Sequence, residues 1–116
     1  MTGEGGPTRE PITVVTHRPD QRRYEITADG RPAGFTEYTD YRRVRTFVHT
    51  EIDPRFEGLG LGSVLIADAL ADVREQEMTI VPQCPFVQAY VDHHPEVADL
   101  VDPTARRRFT GEKKDG

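Results

Sequence analysis

Glycines 58, 60 and 62 alternate with Glu57, Leu59 and Leu61 and run directly into Ser63. Glycines at that density let successive backbone N–H groups turn toward one concavity with no Cβ in the way, and a helix starting behind them adds partial positive charge. The chemistry this suggests is capture of an anion, with a pyrophosphate as the expected guest. Two familiar phosphate loops are excluded by residues that would have to do chemical work. A nucleotide-triphosphate loop ends in Gly-Lys-Ser/Thr, whereas here Gly62 is followed by Ser63 with no lysine between them. A dinucleotide fingerprint has the spacing G-x-G-x-x-G, and this run is G-x-G-x-G. A tight strand-to-helix turn that holds no ligand would use glycines in the same way.

Positioning such a loop requires a strand before it and a helix after it. Val44, Phe47-Val48 and Ile52 mark a strand that Pro54 should end, because proline has no N–H for a sheet ladder. Beyond the glycines, Ile66, Ala69, Leu70 and Val73 recur at i, i+3, i+4 and i+7, with Asp68, Asp72 and Glu75 opposite, the pattern of an amphipathic helix lying on a sheet. Upstream, Arg22–Thr27 leads into Asp29-Gly30 and Ala33–Tyr38 leads out, which predicts a hairpin. Ile12–Val15 is a candidate for a further strand. Met78–Val81 reads as a short buried strand ended by Pro82, and Pro85 opens a second helix that runs to about His94-Pro95. The expected fold class is α/β (α+β): a compact mixed, mostly antiparallel sheet in the order β-β-β-α-β-α, with no internal repeat.

The chain has 116 residues, enough for one domain and too few for two. Residues 1–11 and 103–116 are rich in Gly, Pro and charge and read as disordered tails, which leaves a folded body at 12–102. That body holds 9 Arg against 16 Asp and Glu, net −7, while 103–116 carries +3. An acidic body is a poor surface for DNA or RNA, whose binding rests on cations meeting phosphates. The run Arg106-Arg107-Arg108 reads as a short solvated basic tail. With Cys84 as the single cysteine, an internal disulfide and a four-cysteine zinc site are both excluded. No apolar run approaches a membrane span and the N-terminus lacks the apolar stretch of a signal peptide, so a soluble cytoplasmic protein is expected, a monomer or weak dimer with no nucleic-acid or membrane partner.

At Glu57-Gly58-Leu59-Gly60-Leu61-Gly62 the chain resembles the GNAT superfamily of N-acetyltransferases, whose motif is Gln/Arg-x-x-Gly-x-Gly/Ala between a strand and a helix. Through Ile80–Val87 and on to His94-Pro95-Glu96 it resembles the small YjdJ-type acetyltransferase-like proteins, so the likeness covers about residues 12–102. The resemblance implies a GNAT-like acyl-CoA fold lacking most N-terminal helices, acetyl-CoA as co-substrate with no metal, and direct transfer to the amine of a small molecule or protein. It also implies that backbone N–H groups of Leu59–Ser63 hold the pyrophosphate, that Glu51-Ile52 pairs with the pantetheine arm, and that an N–H near Ile52 stabilises the oxyanion. Tyr90 is similar to the superfamily tyrosine that protonates the departing thiolate, although an aromatic at helical spacing is also ordinary core. Cys84, just ahead of a helix, is a candidate nucleophile or thioester contact, and a small buried filler otherwise.

One departure stands out. The position usually held by Gln or Arg is Glu57, and an alternative register would put Arg55 there. An amine acceptor needs a base, for which His49, Glu51 and Asp53 share alternating positions of one strand. His93-His94 reads as a polar helix end. Three functions remain: an acetyltransferase, a non-catalytic acyl-CoA-binding module, and an interaction domain whose glycine turn is structural.

Overall fold

The computed structural model describes residues 10–106. Strands β1 (Thr13–Arg18), β2 (Arg23–Ala28), β3 (Arg31–Tyr41) and β4 (Val44–Ile52) form an antiparallel meander, α1 (Leu61–Glu75) crosses over, and β5 (Thr79–Pro82) joins the far edge parallel to β4. Helix α2 (Pro85–His93), a 3₁₀ segment at Pro95–Leu100 and a short α3 (Pro103–Arg106) follow. The sheet order is β1-β2-β3-β4-β5, mixed and mostly antiparallel as the sequence predicts. It has four strands before α1 because the Ile12–Val15 stretch does form an edge strand. Among the described residues no α-helix precedes α1, and β1 and β2 are joined only by a 3₁₀ turn at Pro19–Gln21. Helix α3 lies within the stretch 103–116 that the sequence reads as a tail, and residues 1–9 and 107–116, which hold most of the two expected tails with Arg107 and Arg108, lie outside the described residues.

Local chemistry accounts for the turns. Asp29 and Gly30 both have positive φ, +50° and +81°, the geometry a two-residue hairpin between right-twisted strands requires. The Asp29 carboxylate also accepts from the Ile12 N–H at 3.0 Å, which ties the start of β1 to this turn. At the other end of the sheet, α1 stops at Gln76 and the Arg43 guanidinium donates to the free carbonyls of Gln76 and Glu77. A cation on those carbonyls satisfies groups the helix leaves unpaired and opposes its dipole.

The core is the apolar stripe of α1 on the sheet. Leu65, Ile66, Ala69, Leu70 and Val73 are at most 1% exposed and meet Tyr24, Ile26, Phe47, Ile80 and Val87. At the edge of this layer sits a partly exposed polar cluster that sequence spacing does not reveal. Arg45 binds Asp40 through two N–H groups at 2.8 and 2.9 Å, donates to the Tyr24 hydroxyl at 2.6 Å and stacks over the Tyr38 ring. Tyr24 donates in turn to Asp72 of α1, and His17 of β1 lies 2.6 Å from the Tyr38 hydroxyl and stacks on Tyr24. Asp72 therefore faces inward, where amphipathic spacing alone assigns it to solvent.

Candidate functional site

The segment from β4 to α1 is held by specific contacts on both sides of the glycines. Asp53 caps a 3₁₀ turn at Pro54–Phe56, accepting from the Arg55 N–H at 2.9 Å and from its guanidinium at 3.0 and 3.1 Å. Those bonds hold the Asp53 carboxyl below the usual carboxylate range and occupy Arg55. Gly58 and Gly60 follow with φ of +85° and +78°, and an added Cβ at either would meet open space, so what needs glycine there is the dihedral angle. Gly62 needs glycine for a different reason: a Cβ would lie 2.2 Å from Cζ of Phe86, whose ring rests on the first turn of α1.

Gly60 is the N-cap of α1 and has no side chain to offer, and the first turn contains no acidic residue. The N–H groups of Leu61, Gly62 and Ser63 thus lack both an intrahelical carbonyl and a side-chain cap, and such donors at the positive end of a helix are suited to an anion. A cradle built from two positive-φ glycines and uncapped amides fits a pyrophosphate.

The second half of the site comes from the divergence of two parallel strands. Pairing of β4 with β5 runs from Val44↔Thr79 to Phe47↔Pro82, and the last link is the Cys84 N–H donating to the Phe47 carbonyl at 2.9 Å. Strand β4 continues to Ile52 with β3 on one side only. Because the Asp53 N–H donates to the Ala33 carbonyl, the alternation of an antiparallel ladder turns the Glu51 backbone toward β3 and those of Thr50 and Ile52 toward the open edge. This edge and the glycine cradle share a cleft of about 650 Å³.

Glu51, Ile52, Glu57, Gly58, Gly60, Leu61, Gly62 and Ser63 all line that cleft. Leu59 does not; its side chain is 52% exposed. Cys84 and Tyr90 are also off the cleft wall. Cys84 is 4% exposed and sits behind Thr50, with Sγ 3.4 Å from Oγ1. Tyr90 belongs to a neighbouring pocket of about 210 Å³ with Ala89, His93 and His94, in which Ser63 and Phe86 are shared with the cleft. Its ring stacks on His94 at 3.8 Å, and burial, aided by the charge of Glu96, pushes its phenol up. Of the three strand residues considered as bases, His49 and Glu51 share the outer face with Nε2 and Oε2 2.8 Å apart, while Asp53 is bound to Arg55.

The sequence reading missed Thr50 and Phe86. An aromatic adjacent to buried Val87 on α2 signalled Phe86 only as part of a helix; its partner Gly62 becomes apparent once α1 and α2 are side by side. His93 and His94 each place Nδ1 2.8 Å from the carbonyl four residues back, and among the described residues no group of three His, Cys, Asp or Glu is placed to hold a metal. No described helix is long and apolar enough to cross a membrane.

Comparison with known proteins bears on the same segment. A family model described as GCN5-related N-acetyl-transferase matches residues 23–100. No curated protein matches the chain. Among solved structures it is similar to the ribosomal-protein-S18-alanine N-acetyltransferase from Escherichia coli, with TM-score 0.53, 16% identity and coverage of 61% of this chain and 49% of that one. It is also similar to a GCN5-like protein from Staphylococcus aureus (TM-score 0.61, 15% identity, 77% and 87%). Ard1 from Thermoplasma volcanium is a third (TM-score 0.52, 23% identity, 65% and 55%). The chain spans about half the length of the first and third of these, and at such identities the likeness is one of fold.

Proposed function

Because the chain belongs to the GCN5-related N-acetyltransferase family, we propose that it moves an acetyl group from acetyl-CoA to a primary amine, by direct attack while both are bound. The observation that carries this reading is the meeting of an uncapped helix N-terminus and an unpaired strand edge in one cleft. The first suits a pyrophosphate. The second suits an amide-bearing arm, which can bond Thr50 and Ile52 as a missing strand would. The proposed unit is residues 12–102.

In this reading the N–H groups of Leu61, Gly62 and Ser63 bind the pyrophosphate, with Gly58 and Gly60 shaping the approach and Leu59 contributing main chain only. The backbone N–H of Ile52 faces the attacked carbonyl and stabilises charge on its oxygen, a contribution of about 3 kcal/mol per donor in acyl-transfer enzymes. Holding donor and acceptor together supplies much of the remaining acceleration. The pair His49 and Glu51, bonded on the outer face of β4, is the base proposed to take the proton of the incoming amine. Cys84 and Tyr90 act from behind this wall, Cys84 through Thr50 and Tyr90 across Phe86.

One observation favours a second reading, a non-catalytic acyl-CoA-binding module. Glu57 lines the cleft where the motif usually has Gln or Arg, and its carboxylate has no cationic partner among the described residues. A thermal-shift titration tests both readings against no binding: acetyl-CoA at 100 times its dissociation constant stabilises the fold by about 2.7 kcal/mol. CoA release is then followed with polyamines, amino sugars and lysine peptides as acceptors. Release with one class supports the transferase, binding with no release on any acceptor supports the module, and absence of any shift removes both.

A further inference from the structure

Thr50 lines the cleft on the stretch of β4 beyond Phe47, its last partner on β5, and the core behind it fixes the direction of its hydroxyl. Its Oγ1 lies 2.8 Å from Oγ1 of Thr36 and 3.4 Å from Sγ of Cys84. Thr36 is 0% exposed, and Thr50 is the one side-chain partner of its hydroxyl among the described residues. Were Thr50 the donor in that bond, the Thr36 proton would be left unpaired inside the core, which is the costly arrangement. Thr36 therefore donates to Thr50. The Cys84 thiol, 4% exposed, donates to the same oxygen.

A hydroxyl has two acceptor lone pairs and one proton. With both lone pairs of Thr50 filled from behind, its proton is unspent and turns to the cleft that Thr50 lines. We propose that the Thr50 hydroxyl is a hydrogen-bond donor to the acyl thioester, oriented by Thr36 and Cys84. The inference rests on the acetyl-CoA reading above and adds to it a side chain and a donor direction. As the amine nitrogen bonds to the carbonyl carbon, the C=O π pair moves onto oxygen; when that pair re-forms the carbonyl, the C–S bond breaks and its electron pair leaves on sulfur. The amine gives its proton to the base, and Thr50 keeps its own proton throughout. Cys84 on this account is a positioning residue whose thiol holds the Thr50 oxygen and forms no covalent bond.

The test compares wild type, Thr50→Ser and Thr50→Val by calorimetric titration with acetyl-CoA and with desulfo-CoA, which has no thioester. Thr50→Val is expected to weaken acetyl-CoA about fivefold, the worth of one net hydrogen bond, and to leave desulfo-CoA unchanged, with Thr50→Ser close to wild type. Equal weakening of both ligands, or of neither, overturns the inference while leaving the acetyl-CoA reading intact. A wild-type protein that binds neither ligand overturns both. The donor direction has its own readout, because the chain contains a single cysteine and hence a single S–H stretching band. That band should lie at the frequency of a donating thiol in wild type and move to that of a free thiol in Thr50→Val. A wild-type band already at the free position would refute the orientation.

Discussion

Substituting alanine at Gly62 separates helix propensity from packing at the mouth of the cleft. Alanine in place of glycine favours a helix by up to about 1 kcal/mol. Against this, the new Cβ would stand 2.2 Å from Cζ of Phe86 and close to both Cε atoms, so the ring must leave. Phe86 is 41% exposed, hence its displacement gives up part of an aromatic burial, about 1–2 kcal/mol. The two effects nearly cancel, and Gly62→Ala alone should lie within about 1 kcal/mol of wild type in urea denaturation. In a Phe86→Ala background the obstruction is absent and the same change should stabilise by its full propensity. The double-mutant cycle is therefore expected to show a coupling of about 1–2 kcal/mol. Acetyl-CoA titration of Gly62→Ala should show weakened binding although the fold is intact, since the displaced ring forms part of the cleft wall. Gly60→Ala is the control: space around it is open and φ is +78°, so it should cost about 1–2 kcal/mol from the backbone alone, whatever occupies position 86. Additivity of Gly62→Ala and Phe86→Ala within about 0.5 kcal/mol would refute the packing argument.

Arg45→Ala should destabilise by about 2–3 kcal/mol in the same assay, because it removes charge-assisted bonds to Asp40 and the bond to Tyr24. The larger penalty of a broken buried pair is not expected, since Asp40 is 38% exposed and rehydrates. His17 gives a pH dependence of definite sign. Burial holds its pKa below the ordinary 6.5, against an opposing pull from Asp72, so the unfolded chain binds more protons than the folded one in the window just below 6.5. Stability contributed by His17 should accordingly rise with pH through that window and level off above it, and His17→Gln should flatten the profile of urea midpoints. A wild-type midpoint that falls as pH rises toward 6.5 would contradict this sign.

Features set by nearest neighbours were legible before the structure. Asp29-Gly30 marks its hairpin because few pairs tolerate two positive φ values in succession, and the Ile66, Ala69, Leu70, Val73 stripe marks a buried helix face because 3.6-residue periodicity has no other use. The glycine run announces a tight strand-to-helix turn for the same local reason, with Gly58 and Gly60 both at positive φ. What remained hidden depends on segments distant in sequence. Thr50 meets Thr36 and Cys84 only after β3, β4 and β5 have assembled, and Gly62 meets Phe86 only after two helices pack. Tyr90 is a candidate by resemblance alone, and the packing of α2, which local sequence does not encode, sets it beside His94 in a pocket that shares Ser63 and Phe86 with the cleft. Asp72 was assigned to solvent by the same periodicity that identified the helix, and the Tyr24 hydroxyl explains its inward turn.

The parallel pairing of β4 with β5 has a kinetic corollary. Strands β1 to β4 meet their partners through short turns, whereas Val44 finds Thr79 only when the chain has passed through all of α1. Local pairings close cheaply and early; non-local ones wait for the loop entropy to be overcome. The fork between β4 and β5 is thus among the last parts of the molecule to assemble and among the first to open. Substitutions at Pro82 or Cys84 should hasten unfolding and leave the refolding rate nearly unchanged. A fork that opens below the threshold of global unfolding would admit a long, thin guest without any dedicated lid.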